Sequence, residues 1–142
     1  MGLFKPSRLA HAHCHVPCGI YDPTFAINAA ETVAKMVEQL LAMEVPSPDA
    51  SSAEKIKFHH DLERRVVNKE EHAKTCKYEL LDVLWTQYFK PEHLERWPDL
   101  HEKFHRAGHL CTQNMQNIDA ALAQELLDLT KEIGEIFAAS KS

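Results

Sequence analysis

From Pro23 onward the chain places apolar and polar residues at helical spacing with few interruptions. Ala26, Ala30, Val33, Val37 and Leu40 share one side of a 3.6-residue period, while Glu31, Lys35 and Glu38 lie off that stripe. This predicts a first helix that stops near Glu44, because Pro46 and Pro48 cannot continue it and disfavour helical geometry just before them. Ser51, with Glu54 three places later, fits a capping box, in which hydroxyl and carboxylate each accept a bond from an otherwise unpaired backbone N–H. A long second helix then runs to about Phe89, with Leu62, Val66, Ala73, Cys76, Leu80 and Leu84 along its inner stripe, and Pro91 ends it. Some 38 residues would span roughly 55 Å, so a bend or break along that helix is expected. A third segment carries Leu100, Phe104, Ala107, Cys111 and Met115, with Pro98 as an early helical residue. The last starts near Asn117 and aligns Leu122, Leu126, Leu129, Ile133 and Phe137. Four amphipathic helices on short connections predict an all-α, up-and-down four-helix bundle over residues 24–142.

Composition narrows the function more than the fold. At 142 residues, 44% hydrophobic and with four glycines, the chain makes one helix-leaning domain. No apolar run approaches the roughly 20 residues needed to cross a bilayer, so no membrane partner is expected. A net charge of −5, with carboxylates spread along the chain, excludes nucleic acid as the main partner, since no basic stripe can displace counterions from phosphate. Met1 to Ala12 carry Lys5 and Arg8 but no apolar stretch of the kind an export signal requires. Residues 1–12 read as a short prosegment ending in the small residue Ala12, and the expected location is cytoplasmic. Of the four cysteines, Cys76 and Cys111 sit in helical apolar patterns and read as reduced and buried, which suits a reducing compartment.

The other two cysteines belong to His13-Cys14-His15-Val16-Pro17-Cys18-Gly19-Ile20-Tyr21-Asp22-Pro23, a segment that sets imidazole, two thiols and two rigid turns in a few residues. Thiolates are soft donors and no carboxylate cluster adjoins them, so magnesium and calcium are poor candidates. A structural zinc site usually shows two ligand pairs, whereas Cys14 and Cys18 are separated by three residues with no second pair in view. Nickel(II) and copper(II) accept square-planar nitrogen and sulfur donors, which a single compact loop can supply. Pro17 and Gly19 are suitable turn residues for bringing Cys18 back towards Cys14.

The same segment resembles the His-Cys-X-X-Pro-Cys-Gly-X-Tyr-Asp-Pro opening of mature nickel-containing superoxide dismutases. A second match runs from Leu84 to His101 and resembles that family's Leu-Trp-X-X-Tyr-Phe-Lys-Pro-X-His block, and Lys69-Glu70-Glu71-His72-Ala73-Lys74 is also similar. The resemblance implies a hook at residues 13–23 leading into the bundle, and a nickel ion held by the amino-terminal nitrogen and imidazole of His13, the backbone nitrogen of Cys14, and the sulfurs of Cys14 and Cys18. It implies conversion of two superoxide anions and two protons into oxygen and hydrogen peroxide, and assembly as a homohexamer. Residue 13 can offer an amine only if a processing protease cuts the bond between Ala12 and His13. By the same resemblance Tyr21 closes over the open face of the metal, Tyr88 and Lys90 approach the hook, and Lys90 supplies positive charge that attracts superoxide.

Two positions depart from the family pattern. His15 stands where many members have aspartate, and Ala29 or its neighbours stand where some place a glutamate that orients the ligand histidine, with Glu31 as a possible substitute. These departures keep an alternative open: a nickel-binding or storage protein that retains the hook with little turnover. A zinc-stabilised helical interaction module is a third reading with too few ligands. Tyr21 can also be read as a buried anchor of the loop, and Trp85 and Phe89 as core. Among other histidines, His59 and His60 are adjacent and point in different directions, while His101, His105 and His109 share one helix face, which could bind an adventitious metal but reads first as a solvated or interface surface.

Overall fold

A computed structural model describes residues 19–141, and within them all regular structure is helical. Helix α1, Thr24–Leu41, starts where Asp22 Oδ1 accepts the Thr24 N–H at 2.8 Å. It ends three residues before Glu44, because the chain leaves helical geometry ahead of Pro46 as pre-proline sterics require. Helix α2, Ser52–Tyr78, opens with the expected capping box: Ser51 Oγ accepts from the Glu54 N–H at 3.3 Å and Glu54 Oε2 accepts from the Ser51 N–H at 2.9 Å.

The expected break in the long helix is a change of winding. At Glu79–Tyr88 the same helical run continues as a π-helix, closing with Phe89 N–H to Leu84 O at 2.9 Å, five residues back. Phe89 is extended, and the chain then turns through Pro91 into a single helical turn, α3, His93–Arg96. Four residues are too few to produce a periodic pattern, which is why the sequence did not announce α3. Helix α4, Leu100–Gln116, begins two residues after Pro98, which lies in the preceding turn and outside the helix. Helix α5, Ala120–Ser140, starts three residues later than Asn117. The Asn117 N–H closes α4 on Gln113 O, while Asp119 Oδ1 caps α5 by accepting from Ala121 N–H at 2.8 Å and Leu122 N–H at 3.1 Å.

Helix α1 packs on α2 and α5, and α4 packs on the same two from the other side, which closes a four-helix bundle. Its core collects Ala30, Val33, Leu80, Leu84, Phe104, Leu110, Leu126 and Ile133, all at most 1% exposed. Burial of each large apolar side chain contributes about 1.5–3 kcal/mol. Gly134 allows α5 to approach the start of α1 closely: a Cβ there would lie 3.1 Å from Ile27 Cδ1.

One stretch of the predicted stripe does not hold. Leu62 and Val66 are only half-buried, and the fully buried position on that part of α2 belongs to Lys69, 2% exposed. Its Nζ donates to the backbone carbonyls of Asn114, Met115 (3.3 Å) and Asn117 (2.8 Å), at the C-terminal end of α4. An ammonium there satisfies carbonyls that lack intrahelical partners and meets the negative end of the helix dipole. Cys76 and Cys111 are buried and unpaired by disulfide, as the pattern predicted. Cys76 Sγ lies 3.8 Å from Thr130 Oγ1.

Candidate functional site

Gly19 takes φ +68°, the left-handed region that side chains avoid. Two residues on, the half-buried Tyr21 ring packs on Tyr88, with centroids 5.4 Å apart and planes at 57°. Tyr88 closes the π-helical segment and sits among aromatic rings: Phe137 of α5 at 4.5 Å, Phe89 at 5.0 Å and His93 at 5.8 Å. The looser winding of the segment and its stop at Phe89 thus deliver Tyr88 to the end of the bundle where the N-terminal segment joins it.

The Tyr88 hydroxyl is engaged by α5. It lies 2.7 Å from Ser140 Oγ, and Ser140 Oγ donates its single proton to Phe137 O at 2.7 Å, so Tyr88 must be the donor to Ser140. Ser140 is therefore a residue of the site that sequence reasoning missed, and its place in the Ala-Ala-Ser tail of an amphipathic helix carried no signal of it. Lys90 is exposed, with Nζ donating to Gln87 O at 2.8 Å and its backbone N–H donating to His93 Nδ1 at 2.9 Å. The imidazole of His93 thereby holds the Lys90–Pro91 turn. Trp85 is half-buried on Phe104 (4.9 Å) and Phe89 is 5% exposed, so both serve the core, as their apolar reading anticipated.

Lys90, Arg96 and Lys141 stand at this end, together with the carboxylates of Asp22, Glu92 and Glu95. Lys141 Nζ sits 4.2 Å over the Phe137 ring and its charge is felt by Asp22, while Arg96 Nη1 donates to Ala139 O at 3.3 Å. Hydrogen bonds from Thr24, side chain first and backbone second, hold the Asp22 carboxyl below its usual range, and Lys141 adds to the effect.

His13, Cys14, His15 and Cys18 lie outside the described residues, as does the Ala12–His13 bond. Of the positions considered as carboxylate partners for His13, Ala29 is buried in the α1 core and Glu31 is ion-paired with Lys131 at 3.3 Å. Among the described residues no group of three or more histidine, cysteine or acidic side chains is arranged to hold a metal ion, which includes His101, His105 and His109 as a triple.

Comparison with known proteins agrees with this architecture over nearly the whole chain. Residues 8–141 match the family model described as nickel-containing superoxide dismutase. The chain is 35% identical over 139 residues to the nickel superoxide dismutase of Streptomyces seoulensis, covering 98% of this chain and 95% of that one. The corresponding protein of Streptomyces coelicolor is 33% identical with the same coverage. A native nickel superoxide dismutase structure at 1.30 Å superposes with a TM-score of 0.75 at 32% identity, covering 92% of this chain and 100% of that one. An apo structure gives a TM-score of 0.72 at 31% identity, covering 87% and 98%. The storage and zinc-module readings gain nothing from these matches. The chain belongs to the nickel-containing superoxide dismutase family, oxidoreductases that act on superoxide with a nickel cofactor.

Proposed function

We propose that the chain dismutates superoxide at a nickel ion held by His13, Cys14 and Cys18, in a domain of residues 13–142 that becomes competent once residues 1–12 are removed. The donor chemistry fits: two soft thiolates and an imidazole within six residues suit a square-planar, redox-active ion better than a hard cation. When bound, nickel supplies a Ni(II)/Ni(III) couple that takes an electron from one superoxide and returns it to the next. Anionic thiolates and a deprotonated Cys14 amide raise electron density at the ion and bring the oxidised state within reach. Cutting before His13 converts an amide nitrogen, which must lose a proton to ligate, into an amine.

The observation that carries this reading is the contact between Tyr21 and Tyr88. It sets the residue three places after Cys18 against the segment that leads to Lys90. In our reading Tyr21 orders a water or substrate over the metal, Tyr88 positions Tyr21 through its ring, and Lys90 attracts the anion. The overall reaction consumes two superoxide anions and two protons and yields one oxygen and one hydrogen peroxide.

We also infer a homohexamer and a cytoplasmic location. Phe25, Leu41, Val45, Ile56 and Val67 on α1, α2 and their connection are each more than half exposed, a supply of apolar surface suited to burial between copies. Reduced, buried cysteines agree with a reducing compartment. Among the described residues no helix is long and apolar enough to cross a membrane.

Intact mass, metal content and superoxide decay, measured on cut and uncut protein, test the proposal together. Protein beginning at His13 should carry one nickel per chain and consume superoxide, with a rate that falls with salt and in Lys90→Glu. An uncut chain that binds one nickel tightly and is equally active would overturn the cleavage requirement. Processed, nickel-loaded protein that leaves superoxide untouched would overturn the enzymatic reading. A monomer by sedimentation would overturn the hexamer.

A further inference from the structure

Helix α4 carries His101, His105 and His109 along one exposed face, beside a cavity of about 300 Å³ walled by Leu81 and Trp85 from the π-helical segment and by Phe104 and Gly108 from α4 itself. The three rings are not equivalent. His101 lies against the Trp85 indole at 5.6 Å and stacks on His105 at 6.5 Å with planes 22° apart, beyond the spacing of two cis ligands. His105 and His109 are 4.7 Å apart with planes at 58°.

With metal–nitrogen bonds of about 2.0–2.1 Å an imidazole centroid sits about 3.2 Å from the ion, so two rings in cis positions have centroids about 4.5 Å apart. The observed spacing of His105 and His109 matches that value. We propose that His105 and His109 form a second, solvent-facing metal site, a two-imidazole chelate for a divalent transition-metal ion such as nickel(II), with water in the remaining positions. Imidazole pairs suit nickel, copper and zinc, and an exposed pair on a helix loses little conformational freedom on binding because the backbone already fixes its spacing. Lys77 also lines the cavity, and its ammonium is tied down by donating to Thr112 Oγ1 at 3.0 Å. The site is independent of the hook and stands or falls apart from it.

The test is nickel(II) titration of the full chain in a Cys14→Ser, Cys18→Ser background, which removes the hook thiolates and leaves α4 unchanged. One nickel equivalent should remain, and copper(II) loaded in its place should show two nitrogen donors in its electron paramagnetic resonance spectrum. His105→Ala and His109→Ala should each weaken binding by about tenfold or more, since even outer partners of ligands are worth that much. His101→Ala should leave it within about twofold, and all three exposed substitutions should preserve the helical circular dichroism signal. The site is overturned if the background variant binds nickel only at millimolar concentration, if His105→Ala and His109→Ala change nothing, or if His101→Ala weakens binding as much as they do.

Discussion

Tyr21, just ahead of the first helix, packs its ring on Tyr88 at the end of the π-helical segment, 5.4 Å away, while the Tyr88 hydroxyl is turned to Ser140. The two tyrosines therefore have separable tasks in the proposed site: Tyr88 contributes a surface and bonds to Ser140, and Tyr21 stands nearest the hook in sequence. Tyr21→Phe keeps the ring pair and should lower kcat/KM for superoxide while costing less stability than Tyr21→Ala. Tyr21→Ala also removes the ring pair and should cost about 0.5–1.5 kcal/mol beyond the lost buried area. Calorimetry alongside superoxide decay distinguishes the two; equal activity losses with an equal melting shift would mean Tyr21 is only an anchor.

Lys69 links α2 to the end of α4 through three backbone carbonyls. Lys69→Met retains the stem but strands those carbonyls in the core, and should destabilise the fold by about 1–3 kcal/mol. Chemical denaturation gives the number. A neutral outcome would show that the end of α4 finds water when the ammonium is removed.

Cys76 and Cys111 are fully buried, and neither is in a disulfide. The neighbouring Cys76 thiol, and then burial, push the Cys111 thiol above its usual range, and burial shields both thiols from reagents. Native protein exposed to iodoacetamide should keep both unmodified, and denatured protein should be alkylated at both. Mass spectrometry of the tryptic peptides reads the outcome, and modification of Cys111 in the folded state would contradict the packing.

Acid should loosen the bundle at identifiable points. Thr24 holds the Asp22 carboxyl low, and the Lys103 ammonium does the same for Asp99. In the window between their folded values and the ordinary aspartate value the unfolded chain binds more protons than the folded one. Their contribution is thus complete above the ordinary value and is lost as pH falls through the folded values. Asp22→Asn keeps an acceptor for the Thr24 N–H but removes the titrating group, and should flatten the fall in melting temperature across that window; an unchanged slope would mean that the Asp22 carboxylate carries no pH-dependent stability.

The helices, their capping box and their proline stops were legible in the sequence because each depends on residues within about four places of one another, as do the thiols and imidazole of the hook segment. What lay outside that range was decided by tertiary structure. Lys69 reads as a surface lysine until α4 ends beside it, and nothing local marks Ser140 as the partner of Tyr88. The pairing of Tyr21 with Tyr88, and the approach of His109 rather than His101 to His105, follow from how each helix is rotated and from the side-chain rotamers its neighbours permit. Periodicity specifies which face of a helix is buried; only packing selects the partner that face meets.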